Sequence, residues 1–146
     1  MRVGVKMQEK KFLSTLKPIF ASLPDVVAVY LFGSYLNEPE RARDVDLAIL
    51  LKTTESRITY YYMHLYSKLG EIFSPLEVDL LFLNCAPVPI AFEVINTGEV
   101  IYCTDEERRT DFEYVISGLY LDYNYHLHQG RRELYEAIRE ASSLVQ

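Results

Sequence analysis

Tryptophan is absent from this 146-residue chain, cysteine occurs only twice, and no apolar run approaches the ~20 residues that cross a bilayer. Cys85 and Cys103 lack the paired spacing of a zinc site, so both are expected to be reduced packing residues. Basic residues are in the minority, 15 Lys and Arg against 21 Asp and Glu, for a net charge of −6. That balance argues against a protein whose main work is gripping a nucleic-acid backbone, which takes clustered cations to displace counterions. No direct nucleic-acid binding and no membrane association are expected. Residues 1–11 carry charges without the apolar stretch of a signal peptide, which points to the cytoplasm. Repeats, low-complexity tracts and long linkers are missing too, so one domain over 1–146 is expected.

What is there reads as alternating strands and helices. Residues 7–23 space Phe12, Leu13, Leu16, Phe20 and Leu23 for an amphipathic helix that Pro18 bends or divides and that Pro24 and Asp25 stop. Residues 26–32 are a short run apolar on both faces, the mark of a buried strand, and Gly33 and Ser34 end it abruptly. A polar segment, 35–43, precedes a second apolar run, 45–51. Residues 55–73 turn helical, with Ile58, Tyr62, Leu65, Leu69 and Phe73 as the stripe, and 77–83 form a third strand. A helix over 87–97 closed by Gly98 leads into a strand over 100–103. Residues 105–145 read as a helical extension, with Gly130 as the break between two helices. The fold class expected is α/β (α+β), a core over about 26–103 with a small sheet flanked by helices.

The chemistry lies in Asp44-Val45-Asp46, which opens the second apolar run ten residues after Gly33-Ser34. Strand alternation turns Asp44 and Asp46 to one face and Val45 and Leu47 to the other. Two carboxylates side by side repel, and a divalent metal removes that cost. Hard oxygen ligands suit Mg2+ or Mn2+, and Mg2+ shares its coordination with waters and substrate phosphates. Asp79, in Glu77-Val78-Asp79-Leu80, supplies a third carboxylate on a strand apolar enough to lie beside the second. Three aspartates can hold two ions, which stabilise the attacking and leaving oxygens of an in-line displacement at phosphorus. Gly33 and Ser34 would let backbone N–H groups and a hydroxyl approach a triphosphate. Arg41 and Arg43 are candidates to neutralise phosphate charge, or plain solvated loop residues.

In this order of motifs the chain resembles the minimal nucleotidyltransferases of the DNA polymerase β superfamily, over roughly residues 26 to 125. The resemblance implies a polymerase-β-like fold with a small mixed sheet and C-terminal helices, and ATP as substrate. Proteins of this kind are antitoxins encoded beside HEPN-domain ribonuclease toxins, and some transfer AMP onto a toxin tyrosine. A HEPN toxin partner and the role of a type VII toxin–antitoxin antitoxin are therefore implied. Arg43 departs from the pattern, since many relatives carry serine before the first aspartate.

The 12 tyrosines gather on helical segments, as Tyr60, Tyr61, Tyr62 and Tyr66, then Tyr114, Tyr120, Tyr123, Tyr125 and Tyr135. They are expected to pack helices on the sheet and in part to meet a partner or a second copy, leaving a homo- or hetero-oligomer open. His64, His126 and His128 share no spacing with the carboxylates and read as surface or packing residues. Two alternatives to protein adenylylation stand beside it. One is neutralisation of the toxin by binding alone. The other is transfer to a small-molecule hydroxyl, for which the stretch after Cys103 is short of an acceptor domain.

Overall fold

The computed structural model describes residues 5–52 and 57–145, with side chains from residue 13 to 144 within those ranges. The element order is α1 (Val5–Ala21), β1 (Val26–Phe32), α2 (Ser34–Asn37), β2 (Asp44–Leu51), α3 (Ile58–Phe73), β3 (Glu77–Phe82), α4 (Val88–Thr97), β4 (Glu99–Cys103) and α5 (Glu106–Val145), with a 3-10 turn over Leu83–Cys85. The strands form one mixed sheet in the order β3-β2-β1-β4. β1 pairs antiparallel with both β2 and β4, and β2 pairs parallel with β3. A parallel pair needs a crossover, and α3 is that crossover.

Because β1 and β2 are apolar on both faces, the sheet is buried on both sides. Val45, Leu47, Ile49 and Leu51 pack with Leu16, Phe20 and Leu23 at the end of the first helix and with the inner stripe of α3. On the opposite face Ala28, Tyr30, Ala48 and Leu50 pack with Ala91 and Val94 of α4 and Ile116 of α5. Asn84 closes the far end of β2, accepting from Leu51 N–H at 2.8 Å and donating to Leu51 O at 2.9 Å.

Several expectations are corrected. Gly130 breaks nothing, and in place of C-terminal helices there is the single helix α5. A mid-helix glycine costs only about 1 kcal/mol relative to alanine, and strong helix formers flank this one, with Arg132 and Glu136 paired at i,i+4. Pro18 does not divide α1, which ends at Ala21, before Pro24, where Ser22 and Leu23 fold back on Ile19 and Phe20. The inner stripe of α3 is Tyr61, Leu65, Leu69 and Phe73, so Tyr61 takes the place assigned to Tyr62. The hydroxyl of Tyr61 donates to the Asp25 carboxylate, and burial together with that bond pushes its pKa up to about 12. Gly98 ends α4 in extended geometry, not left-handed, and is required by crowding, since a Cβ there would sit 2.5 Å from Val94 O. Cys85 is exposed, because Leu83 takes the buried position of its turn. Phe12 and the start of the helix expected from residue 55 lie outside the described side chains and residues.

α5 is anchored by a polar contact crossing into the sheet. Tyr30, almost fully buried, donates its hydroxyl to Glu113 Oε1 at 2.6 Å, and Arg109 Nη1 donates to the same oxygen at 2.8 Å. Burial first, then Glu113, drives the tyrosine pKa far above its ordinary value. Removing the hydroxyl with Tyr30→Phe should cost about 1 kcal/mol of unfolding free energy, whereas Glu113→Ala leaves the buried Tyr30 hydroxyl without its acceptor while Arg109 keeps Glu106, and should cost about 2 kcal/mol. Urea titration followed by circular dichroism measures both, and equal losses would mean the contact is incidental.

Candidate active site

The carboxylates stand where β2 begins, and three local features put them there. β1 ends at Gly33, whose φ of 77° lies in the left-handed region that glycine reaches without cost. A short turn follows, in which Glu38 N–H donates to Ser34 O at 2.7 Å and Glu38 O accepts from Arg41 and Ala42, both at 3.1 Å. The chain thereby re-enters the sheet at Asp44. A glycine is needed at 33 for a second reason: a Cβ there would collide with Asp46 Oδ2. Gly33 and the second aspartate are thus packed against each other, and Ser34 is exposed at the start of α2.

Register does the rest. β2 and β3 run parallel with Asp46 opposite Asp79 and Asp44 opposite Glu77, so these side chains emerge from neighbouring strands about 4.8 Å apart. All four share the sheet face of Ala48 and Leu50, while Val45 and Val78 between them are buried on the other. Asp44 and Asp46 are partly buried and Asp79 is exposed. Asp46 and Asp79 face one another across the two strands. The Asp46 pKa is raised by burial first, then by the negative charges of Asp79 and Asp44 and by its interaction with the Asp79 carboxyl.

Asp44, Asp46 and Asp79 are therefore set on one sheet face, with Gly33 against Asp46. Arg41 and Arg43 are not: both are exposed, and among the described residues neither pairs with the carboxylates. No ready-made cluster of three metal-ligating side chains exists among the described residues; the acids share a face without converging on one point. Glu77 escaped the sequence reading. The signal was present, because aligning Asp-x-Asp of the second strand with Glu-x-Asp of the third exposes a second acidic pair at the same spacing.

A carboxyl with a raised folded-state pKa takes up protons on folding, so its stabilising effect is full below the unfolded pKa and is lost as pH rises through the folded one. At neutral pH, without cations, Asp46 thus weakens the fold. Asp46→Asn should raise unfolding free energy there by a few tenths to about 1 kcal/mol, the range for partly solvated charge pairs, with the gain shrinking at acidic pH. Urea midpoints of both proteins across pH test this, and a destabilised variant at neutral pH would refute it.

Comparison with known proteins gives the fold a lineage. The chain is 27% identical over 103 residues to the protein adenylyltransferase MntA of Shewanella oneidensis, spanning 70% of each. A solved toxin–antitoxin structure with AMP-PNP superposes with a TM-score of 0.62 at 24% identity, over 89% of this chain and 97% of that one. A structure of a tri-AMPylated Shewanella oneidensis HEPN toxin in complex with MNT antitoxin superposes with a TM-score of 0.59 at 24% identity, over 91% and 97%. The family model described as polymerase beta, nucleotidyltransferase matches residues 14–107, the whole sheet and the carboxylates on it. By that match, which spans more than half its length, the chain belongs to the polymerase beta nucleotidyltransferase family.

Proposed function

We propose that this protein is a metal-dependent adenylyltransferase that moves AMP from ATP onto a hydroxyl of a partner protein, a tyrosine of a HEPN toxin, and so acts as the antitoxin. The observation that carries the reading is the register that sets Asp46 opposite Asp79 on one sheet face, with Asp44 two residues along and Gly33 packed on Asp46, and with no cation partner among the described residues. The donor set is all hard oxygen and its charge is uncompensated, which fits magnesium, with manganese as a close substitute. Support for the acceptor comes from the relatives: one is named a protein adenylyltransferase, and one is an antitoxin in complex with an AMPylated toxin. The AMP-PNP complex supports ATP as donor.

In this mechanism Asp44 and Asp46 hold the ions and Asp79 completes the set. Bound magnesium supplies the positive charge that offsets the triphosphate and the developing charge at phosphorus. Gly33, free of a side chain, admits the β- and γ-phosphates to the backbone beside Asp46, and the exposed Ser34 hydroxyl donates to them. Arg41 and Arg43 swing in from the preceding turn to the phosphates. The acceptor oxygen, oriented by Asp79, attacks the α-phosphorus. The bond to the bridging oxygen breaks, pyrophosphate leaves, and the acceptor proton passes to the Asp79 side of the site.

Incubated with ATP, magnesium and the product of the neighbouring toxin gene, the protein should yield toxin heavier by AMP in mass spectrometry. Asp44→Asn should slow that transfer by more than about 100-fold, beyond the cost of losing an outer partner of a metal ligand. A second reading, neutralisation by masking, is favoured by the exposed Tyr123, Tyr125, Leu127, Leu134 and Ile138 along α5. Growth rescue by an Asp44→Asn/Asp46→Asn variant would select masking over transfer.

A further inference from the structure

Apolar packing decides which face each side chain of β3 takes, but not how far along β2 the strand sits. Val78, Leu80 and Phe82 pack on the α1/α3 side, and Asp79, Leu81 and Leu83 turn to the other. A slip of two residues, about 7 Å along the strand, keeps every one of them on its face. In that register Leu81 stands opposite Asp46 and Asp79 opposite Asp44, and the observed pairing of Asp46 with Asp79 is lost. Parity alone does not choose between the two.

The choice is made at the far end of the strands. β3 leaves the sheet at Phe82, opposite Ile49, whereas β2 runs on to the buried Leu51. After β3 the chain coils into the Leu83–Cys85 turn, where Leu83 O accepts from Ala86 N–H at 3.3 Å. β3 therefore offers Leu51 no backbone partner, and buried N–H and C=O groups left unpaired are costly. The Asn84 side chain takes that place, accepting from Leu51 N–H at 2.8 Å and donating to Leu51 O at 2.9 Å. A primary amide carries the donor and acceptor of a peptide group, so Asn84 adds one rung to the ladder. Unlike the apolar pattern, this rung does not recur every two residues. With β3 slipped by two, Asn84 lies level with Ile49, about 7 Å short of Leu51. We infer that Asn84 is a positioning residue, whose two bonds to Leu51 select the register in which Asp46 faces Asp79. Its consequence for chemistry rests on the transfer reading above, and its hold on the register does not.

The test compares Asn84→Leu with Thr104→Val in the full chain. Thr104 bonds Val26 O at 3.1 Å at the same end of the sheet but on β1, so its variant reports lost stability alone. Nuclear Overhauser contacts between backbone protons of β2 and β3 read the register directly. Asn84→Leu should shift the balance of registers about 30-fold toward the slipped one, the worth of two ordinary hydrogen bonds, and so show a second set with Leu81 opposite Asp46. The kcat for AMP transfer, per folded molecule by thermal melt, should fall by the fraction that the wild-type set loses. Thr104→Val should keep the single set and the wild-type kcat. If Asn84→Leu does not fold, Asn84→Asp, which keeps the acceptor for Leu51 N–H and loses the donor, should show the second set at lower population. A folded Asn84 variant with only the wild-type set would overturn the inference, as would a second set that Thr104→Val shares. A displaced register with undiminished kcat would overturn its consequence for transfer. A wild type that transfers no AMP would overturn the transfer reading alone, because the proton contacts still decide the role of Asn84.

Discussion

The parallel pairing of β2 with β3 is the constraint on which the site depends. Side chains along a strand alternate with a period of two, so a shift of one residue between these strands would send Asp79 to the α1/α3 face and leave Asp46 without its neighbour. The register is held from behind: Val45, Leu47 and Ile49 on β2 and Val78 and Phe82 on β3 are buried together with α3. Apolar packing on one face thereby dictates the spacing of charges on the other. The core supplies the force that holds mutually repelling carboxylates side by side on one face.

Much of this was legible from the residues because the relevant signals are local. The limits of β1 follow from a continuous apolar run between Asp25 and Gly33, and the shared face of Asp44 and Asp46 follows from alternation alone. What was not legible depends on contacts distant in sequence. Whether β3 runs parallel or antiparallel to β2 is decided by the crossover through α3, and that direction sets which residue faces Asp44. Tyr61 and Tyr62 are equivalent by periodicity to within one position. The choice falls on Tyr61 because its hydroxyl finds Asp25 at the entry to β1, a partner 36 residues away in the chain. For Arg41 and Arg43 closeness in sequence to the carboxylates sets no contact between them: both are exposed and, among the described residues, neither pairs with those acids.

Gly33 and Gly98 both sit beside Phe32, at the two points where irregular backbone meets the end of β1. Each lacks a side chain for a different reason. Gly33 needs the left-handed conformation and clearance for Asp46, whereas Gly98 needs room against the carbonyl that ends α4. Only the first is tied to the charged face. The second serves the hand-over from α4 to β4 that closes the far edge of the sheet.

α5 spans 40 residues, about 60 Å at 1.5 Å per residue. Its clamps, Glu113 on Tyr30, buried Ile116 and the Phe92–Tyr120 ring stack, all fall in its first half. The distal half, exposed at nearly every described position, has no such hold on the sheet. Elementary energetics make it the part of the helix that opens by local fraying, ahead of the buried strands. A side chain exchanged there costs the sheet little, so the distal half can be shaped to whatever surface the helix meets.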